Sequence, residues 1–174
     1  MKKNKKKNKG ILFWITGLSG SGKTQIGKKI KKSISNIYGP TLFISGDDMR
    51  NIFELKKYTN KARISNGIKF GKFCKFVTNQ NINIIFALVS LREKVRKWNR
   101  KNISNYVEIY IKTDIKKIMK IGKKKVYKKF NKNIVGLDIR AEFPKSPDII
   151  IENDFKKSIK QLSDNLIKKI KKTI

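Results

Sequence analysis

Gly17, Gly22, Lys23 and Thr24 fill the four fixed positions of G-x-x-x-x-G-K-[ST], and residues 17–24 follow directly on the apolar run 11–15. At this spacing glycines let backbone N–H groups turn inward around phosphates, a lysine reaches the β- and γ-phosphates, and a threonine hydroxyl holds Mg²⁺. Gly17, Ser19, Gly20, Ser21, Gly22, Lys23 and Thr24 are therefore expected to cradle a nucleoside triphosphate, with Thr24 on the metal. Residues 25–35 suit a helix, so the loop ends at a helix N-terminus, where amides and dipole favour an anion. A chance match in a Gly/Ser turn is the alternative, and the apolar strand in front of the motif argues against it.

Two further polar clusters stand just after apolar runs. Ser45-Gly46-Asp47-Asp48-Met49-Arg50 offers two carboxylates and a guanidinium, which can serve Mg²⁺, a substrate hydroxyl and a phosphate. The same residues also suit a helix start with Asp47 or Asp48 as N-cap, and one aspartate can cap while the other faces a cleft. Ser90-Leu91-Arg92 brings a hydroxyl and a cation, or a simple serine cap. The chain has no histidine, so a carboxylate is the base expected in such a cleft. Only six of the 44 basic residues are arginine. Arginine grips phosphate as a planar fork that lysine does not reproduce. Arg50, Arg63, Arg92 and Arg140 stand near ligand-facing turns or helices, whereas Arg96 and Arg100 read as the solvated face of a helix.

The elements that must position these groups alternate along the chain. Strands are expected at 11–15, 42–44, 84–89, 107–111 and 148–151, and helices at 23–36, 61–79, 91–100, 114–121 and 155–172, with a further short helix carrying Met49 and Leu55. Runs of Ile, Val and Phe without clear alternation suit strands buried on both faces. The expected fold is α/β, a doubly wound parallel sheet with helices on both faces, as in P-loop NTPases. Ligands in such sheets sit beyond the carboxyl ends of the strands, where the polar clusters fall. Residues 122–147 are irregular and lysine-rich, with Gly136 and two prolines. They read as a lid beside the phosphate site, or as a surface loop.

The 174 residues suit one domain at 10–174 behind a solvated lysine-rich tail at 1–9, which lacks the apolar stretch of a signal peptide. No apolar run approaches the roughly 18 residues of a membrane span. The single cysteine, Cys74, excludes an internal disulfide, fits a reducing cytoplasm and reads as helix packing. The net charge of +32 would by itself suggest nucleic acid or another anionic surface. Lys, Ile and Asn dominate together, however, and all three have A- and T-rich codons, so a biased genome accounts for the lysines. Scattered lysines make a solvated surface, and no base-stacking aromatics interleave with them. No specific nucleic-acid partner is expected, and any association should vanish as salt rises.

Taken together, these segments resemble the adenylylsulfate kinase (APS kinase) family, whose members use ATP to phosphorylate the 3′-hydroxyl of adenosine 5′-phosphosulfate in sulfate assimilation. Residues 13–24, FWITGLSGSGKT, resemble the family's FWxTGLSGSGKS/T opening, and residues 45–50, SGDDMR, its DGDNxR box. Residues 58–66, YTNKARISN, are similar to F-S-x-x-D-R-x-x-N, and Ser90 falls on the serine of the SLISP turn. Residues 124–129 and 134–138 resemble the lid strings KGLYKKA and FTGID, and residues 147–151 the P-D-L-x-I strand. The resemblance implies ATP and Mg²⁺ as cosubstrate and cofactor, with Lys128 and Lys129 over the phosphates. It implies Asp47 on the metal and acceptor hydroxyl, and Arg50, Arg63 and Asn66 on the acceptor. Tyr58 would be the aromatic that stacks on the acceptor base, and Ser90 a further acceptor contact. A homodimer is compatible with it.

The departures gather on the acceptor side. Ser45 replaces the first aspartate of the box, Ala62 the aspartate before Arg63, Ile68 and Lys69 two arginines, and the Pro-aromatic pair after Ser90 is missing or shortened to Leu91. Stacking on one face discriminates bases poorly. The expected acceptor is adenosine 5′-phosphosulfate, with relaxed or altered base preference. The alternatives are a kinase of the same architecture acting on a cytidine diphosphate derivative, such as cytidine diphosphoramidate in surface-polysaccharide modification, a non-enzymatic nucleotide switch, or a basic nucleic-acid-binding protein.

Overall fold

The computed structural model describes residues 9–121 and 134–174. The tail reading, apart from Lys9, and most of the lid reading, with Lys128 and Lys129, lie outside them. Five strands form one sheet: β1 (Leu12–Thr16), β2 (Thr41–Ser45), β3 (Asn83–Ala87), β4 (Tyr106–Lys112) and β5 (Ile149–Glu152). All are parallel, in the order β2-β3-β1-β4-β5. Helices α1 (Lys23–Tyr38), α2 (Gly46–Ile52), α3 (Asn60–Thr78), α4 (Glu93–Asn102), α5 (Ile115–Ile121) and α6 (Ile159–Thr173) complete the described residues.

Side chains alternate across a strand, so β1 feeds both layers at once. Phe13 and Ile15 meet α1 and α6, which present Ile26, Ile30 and Ile34, and Leu162, Leu166 and Ile170, at fourfold spacing. Leu12 and Trp14 face the other layer, where Met49 of α2, Phe70, Cys74 and Val77 of α3, and Val95 of α4 pack. Each such aliphatic side chain taken out of water stabilises the fold by about 1.5–3 kcal/mol. Burial pushes the Cys74 thiol pKa up, which suits an unreactive packing residue. The strands buried throughout are β1 and β3; the edge strands β2 and β5 carry exposed positions, since a helix layer covers an edge less completely.

The α6 helix starts at Ile159 and not near 155, because Phe155 sits at φ 68, outside helical space, and Ser158 with Gln161 closes a capping box there. Among the described residues no helix is long and apolar enough to cross a membrane.

Arg96 corrects the sequence reading, whereas Arg100 stays on the exposed face of α4 as expected. Arg96 is only 5% exposed, and its Nε lies 3.1 Å from the carboxylate of Glu108, a buried residue of β4. Arg100 grips Asp148 with both terminal nitrogens at 3.2 and 3.0 Å, and Asp148 also accepts the Glu108 N–H at 2.7 Å. Burial, first of all, raises the Glu108 pKa, and the two guanidiniums oppose it. Removing one partner strands a buried charge, so Glu108→Ala should cost about 3–5 kcal/mol. At about 2–4 °C per kcal/mol for this size, calorimetry should show Tm falling by roughly 6–20 °C. An unchanged Tm would mean that Arg96 finds another counter-charge.

Candidate active site

Between β1 and α1 the chain wraps residues 17–22 into a loop. Gly20 and Gly22 sit at φ 81 and 92, left-handed backbone that glycine adopts without a Cβ clash. Gly22 is the N-cap of α1, which has no side-chain cap and no acid in its first turn, so the capping role falls to an incoming anion. Lys23 is 6% exposed, with Nζ donating to the Leu18 carbonyl at 2.5 Å and lying 3.4 Å from Ser21 Oγ. Beneath the loop, Asn153 just after β5 donates to the Ser21 carbonyl at 3.0 Å and accepts from the Phe155 N–H at 3.0 Å. Asn153 went unread in the sequence, although the rule that polar residues follow apolar strands would have found it.

Ser19, Gly20, Gly22, Lys23 and Thr24 line a cavity of about 530 Å³ whose opposite wall is Gly46, Asp47 and Arg50. Gly17 and Ser21 are buried and support the loop from below. At Gly46, Asp47 and Arg50, α2 begins directly after the last residue of β2. The N-cap is Ser45, neither aspartate: its hydroxyl accepts the Asp48 N–H at 3.2 Å and its N–H donates to the Asp48 carboxylate at 2.7 Å. Those hydrogen bonds, the backbone one first, hold the Asp48 pKa below the usual carboxylate range. Asp48 is thus committed to the cap, and Asp47, its side chain 70% exposed, faces the cavity and pairs with Arg50.

Arg50 also belongs to a second, narrow pocket of about 40 Å³ with Tyr58, Arg63, Asn66, Ser90 and Arg92. The guanidiniums of Arg50 and Arg63 lie 5.6 and 5.4 Å from the Tyr58 ring centre, and Arg63 Nε donates to the Tyr58 carbonyl at 2.9 Å. Burial first, then Arg50 and Arg92, hold the Arg63 pKa below the usual arginine range. Ser90 does not cap α4, which starts at Glu93 after Arg92; its carbonyl accepts Arg96 Nη1 at 3.0 Å. Arg140 is not gathered here and lines a separate cavity with Tyr110 and Phe143.

Thr24 and Asp47 face the same cavity with oxygen donors, which fits Mg²⁺, an ion that keeps waters and shares phosphate oxygens. Among the described residues no cluster of three or more His, Cys, Asp or Glu could hold a metal ion.

The model of the adenylylsulphate kinase family matches residues 9–152. The cytidine diphosphoramidate kinase of Campylobacter jejuni is 33% identical over 94% of this chain and 98% of its own length. The adenylyl-sulfate kinase of Clostridium kluyveri is 30% identical over 83% of this chain and 76% of its own. An APS kinase of Mycobacterium tuberculosis, solved in complex with AMPPNP and APS, superposes with a TM-score of 0.83 at 20% identity, over 94% of this chain and 98% of that one, and so shares the fold. A phosphate loop at the end of β1 in a parallel sheet wound as in P-loop kinases, matched over most of its length by this family model, makes the chain a kinase-type phosphotransferase that belongs to the adenylylsulphate kinase family.

Proposed function

We propose that the protein transfers the γ-phosphoryl group of ATP to the 3′-hydroxyl of a nucleotide bearing a diphosphate-type group at its 5′ position. The supporting observation is that the phosphate-loop cavity and the arginine-lined pocket share Arg50, which pairs with Asp47 on the phosphate-loop side. The acceptor oxygen attacks the γ-phosphorus in line as the bond to the β–γ bridging oxygen breaks; ADP leaves and the hydroxyl proton passes to the Asp47 carboxylate. Lys23 and the loop amides balance charge on the phosphates, and Arg50 and Arg63 hold the acceptor's anionic group. Asn66 and Ser90 contact the acceptor beside them, and Tyr58 supplies one stacking face. When bound, Mg²⁺ held by Thr24 and Asp47 supplies neutralisation of phosphate charge. Lys128 and Lys129 keep their role over the phosphates on the resemblance alone.

For the acceptor we favour a cytidine diphosphate derivative of the cytidine diphosphoramidate kind over adenosine 5′-phosphosulfate, the choice the motifs suggested. The likeness to the cytidine diphosphoramidate kinase spans nearly both chains, and the departures from the family pattern, Ala62, Ile68, Lys69 and Leu91, fall in the segments that the resemblance assigns to the acceptor. The second reading retains support from Tyr58, Arg63, Asn66 and Ser90, which meet in one pocket. A coupled ADP-release assay with both acceptors and their 3′-deoxy analogues decides between them. We expect kcat/KM for cytidine diphosphoramidate to exceed that for adenosine 5′-phosphosulfate by about tenfold or more, a difference of about 1.4 kcal/mol at the transition state. Turnover confined to adenosine 5′-phosphosulfate would place the enzyme in sulfate assimilation. Undiminished turnover of a 3′-deoxy analogue would reject the assigned hydroxyl.

A further inference from the structure

We propose that Arg92 is a third anion-binding arginine of the acceptor pocket, meeting the 5′ diphosphate-type group through Nε and Nη2. The inference rests on the acceptor assigned above and adds a ligand to it. Arg92 is 4% exposed, so its guanidinium has little water to hydrate it. Its Nη1 donates to the Arg140 carbonyl at 2.7 Å and lies 3.4 Å from Glu142 Oε1. Nε and Nη2 are buried with no hydrogen-bond partner. A buried cation is stable when its N–H groups are matched, and an unmatched charged donor is among the costliest groups to enclose. Nε and Nη2 share one edge of the planar group, the edge that takes two oxygens of a phosphate as a fork.

Arg92 lines the narrow pocket together with Arg50, Lys57 and Arg63. The acids nearby are already engaged: Asp47 pairs with Arg50, and Glu142 accepts Arg92 Nη1 and the Glu93 N–H at 2.6 Å. Cations therefore outnumber anions around a pocket in which the Tyr58 ring already carries two guanidiniums. A diphosphate-type group brings the missing negative charge and more than one oxygen pair. The other side of Arg92 is held by residues 140–142, which leaves the Nε/Nη2 edge for the anion.

The test is calorimetric titration with the donor site saturated by Mg²⁺ and AMPPNP. Wild-type protein should bind cytidine 5′-diphosphate more tightly than cytidine, and inorganic pyrophosphate measurably. Arg92→Gln should weaken cytidine 5′-diphosphate and pyrophosphate by roughly 10- to 100-fold, as expected when a charge-assisted fork is lost, while cytidine affinity and the KM for ATP stay within about threefold. Arg92→Lys, which keeps the charge without the fork, should recover only part of the loss and serves alone if the Gln variant does not fold. Glu142→Gln weakens the tether but leaves the free edge, and should bind both anions within about threefold of wild type. A diphosphate preference that survives in the Arg92 variants, or one lost equally in Glu142→Gln, makes Arg92 a tether only and overturns the proposal. If the wild-type protein turns over no nucleotide acceptor, the proposed function fails, and the pyrophosphate titration still reads the anion site by itself.

Discussion

Replacing Lys23 with alanine should lower kcat by about 10²-fold or more, the loss expected when one preorganised electrostatic contact to a developing charge is removed. The Lys23 ammonium is buried against the loop that presents it, donating to the Leu18 carbonyl and lying within reach of Ser21 Oγ. It can exchange these neutral oxygens for phosphate oxygens that gain charge along the reaction. The variant should stay folded, because α1 keeps Ile26, Ile30 and Ile34 in the core. Steady-state ADP release gives the rate, and thermal unfolding serves as the control. A folded Lys23→Ala protein with undiminished turnover would remove the phosphate loop from the reaction.

Asp47→Asn should be similarly severe, at roughly 10²–10⁴-fold in kcat, the range for loss of a positioned general base. Its neighbour sharpens the test. Asp48 is closed into the cap with Ser45, so Asp48→Asn should act on stability, by about 1 kcal/mol, with little change in turnover of the folded protein. Asp47 faces the cavity on a solvent-exposed pair with Arg50, and its loss should shift stability by no more than about 1 kcal/mol. The two variants should therefore separate rate from Tm. A larger loss of turnover in Asp48→Asn than in Asp47→Asn would reverse the roles.

What could be read from the chain beforehand follows from the range of the forces involved. The phosphate loop is local, with glycines, lysine and threonine within eight positions, so the motif carries its own geometry. The parallel sheet was legible because Leu12–Thr16 and Asn83–Ala87 are apolar on both faces and punctuated by polar strand ends. The cap at α2 was misplaced by a few residues because serine and aspartate compete for that role and only backbone geometry decides between them. The largest misreading was Arg96, which looks solvated beside its charged neighbours in sequence; its partner Glu108 stands on a different element, and burial is set by how α4 lies on β4. Asn153 and Arg92 share that character: their contacts reach Ser21 and residues 140–142, far along the chain.

The placement of the arginines bears on how such a sequence changes over time. One G-to-A transition turns an AGA arginine codon into an AAA lysine codon, so under A- and T-directed mutation an arginine persists most readily where lysine does not serve. Five of the six arginines have side chains engaged in directed contacts: Arg50 with Asp47, Arg63 with the Tyr58 carbonyl, Arg92 with residues 140–142, Arg96 with Glu108 and the Ser90 carbonyl, and Arg100 with Asp148. Under such a bias drift would act as a filter, leaving a guanidinium where its planar geometry does what a point charge cannot. In a chain where lysine is this abundant, the arginines mark the positions at which exchange for lysine should be felt first.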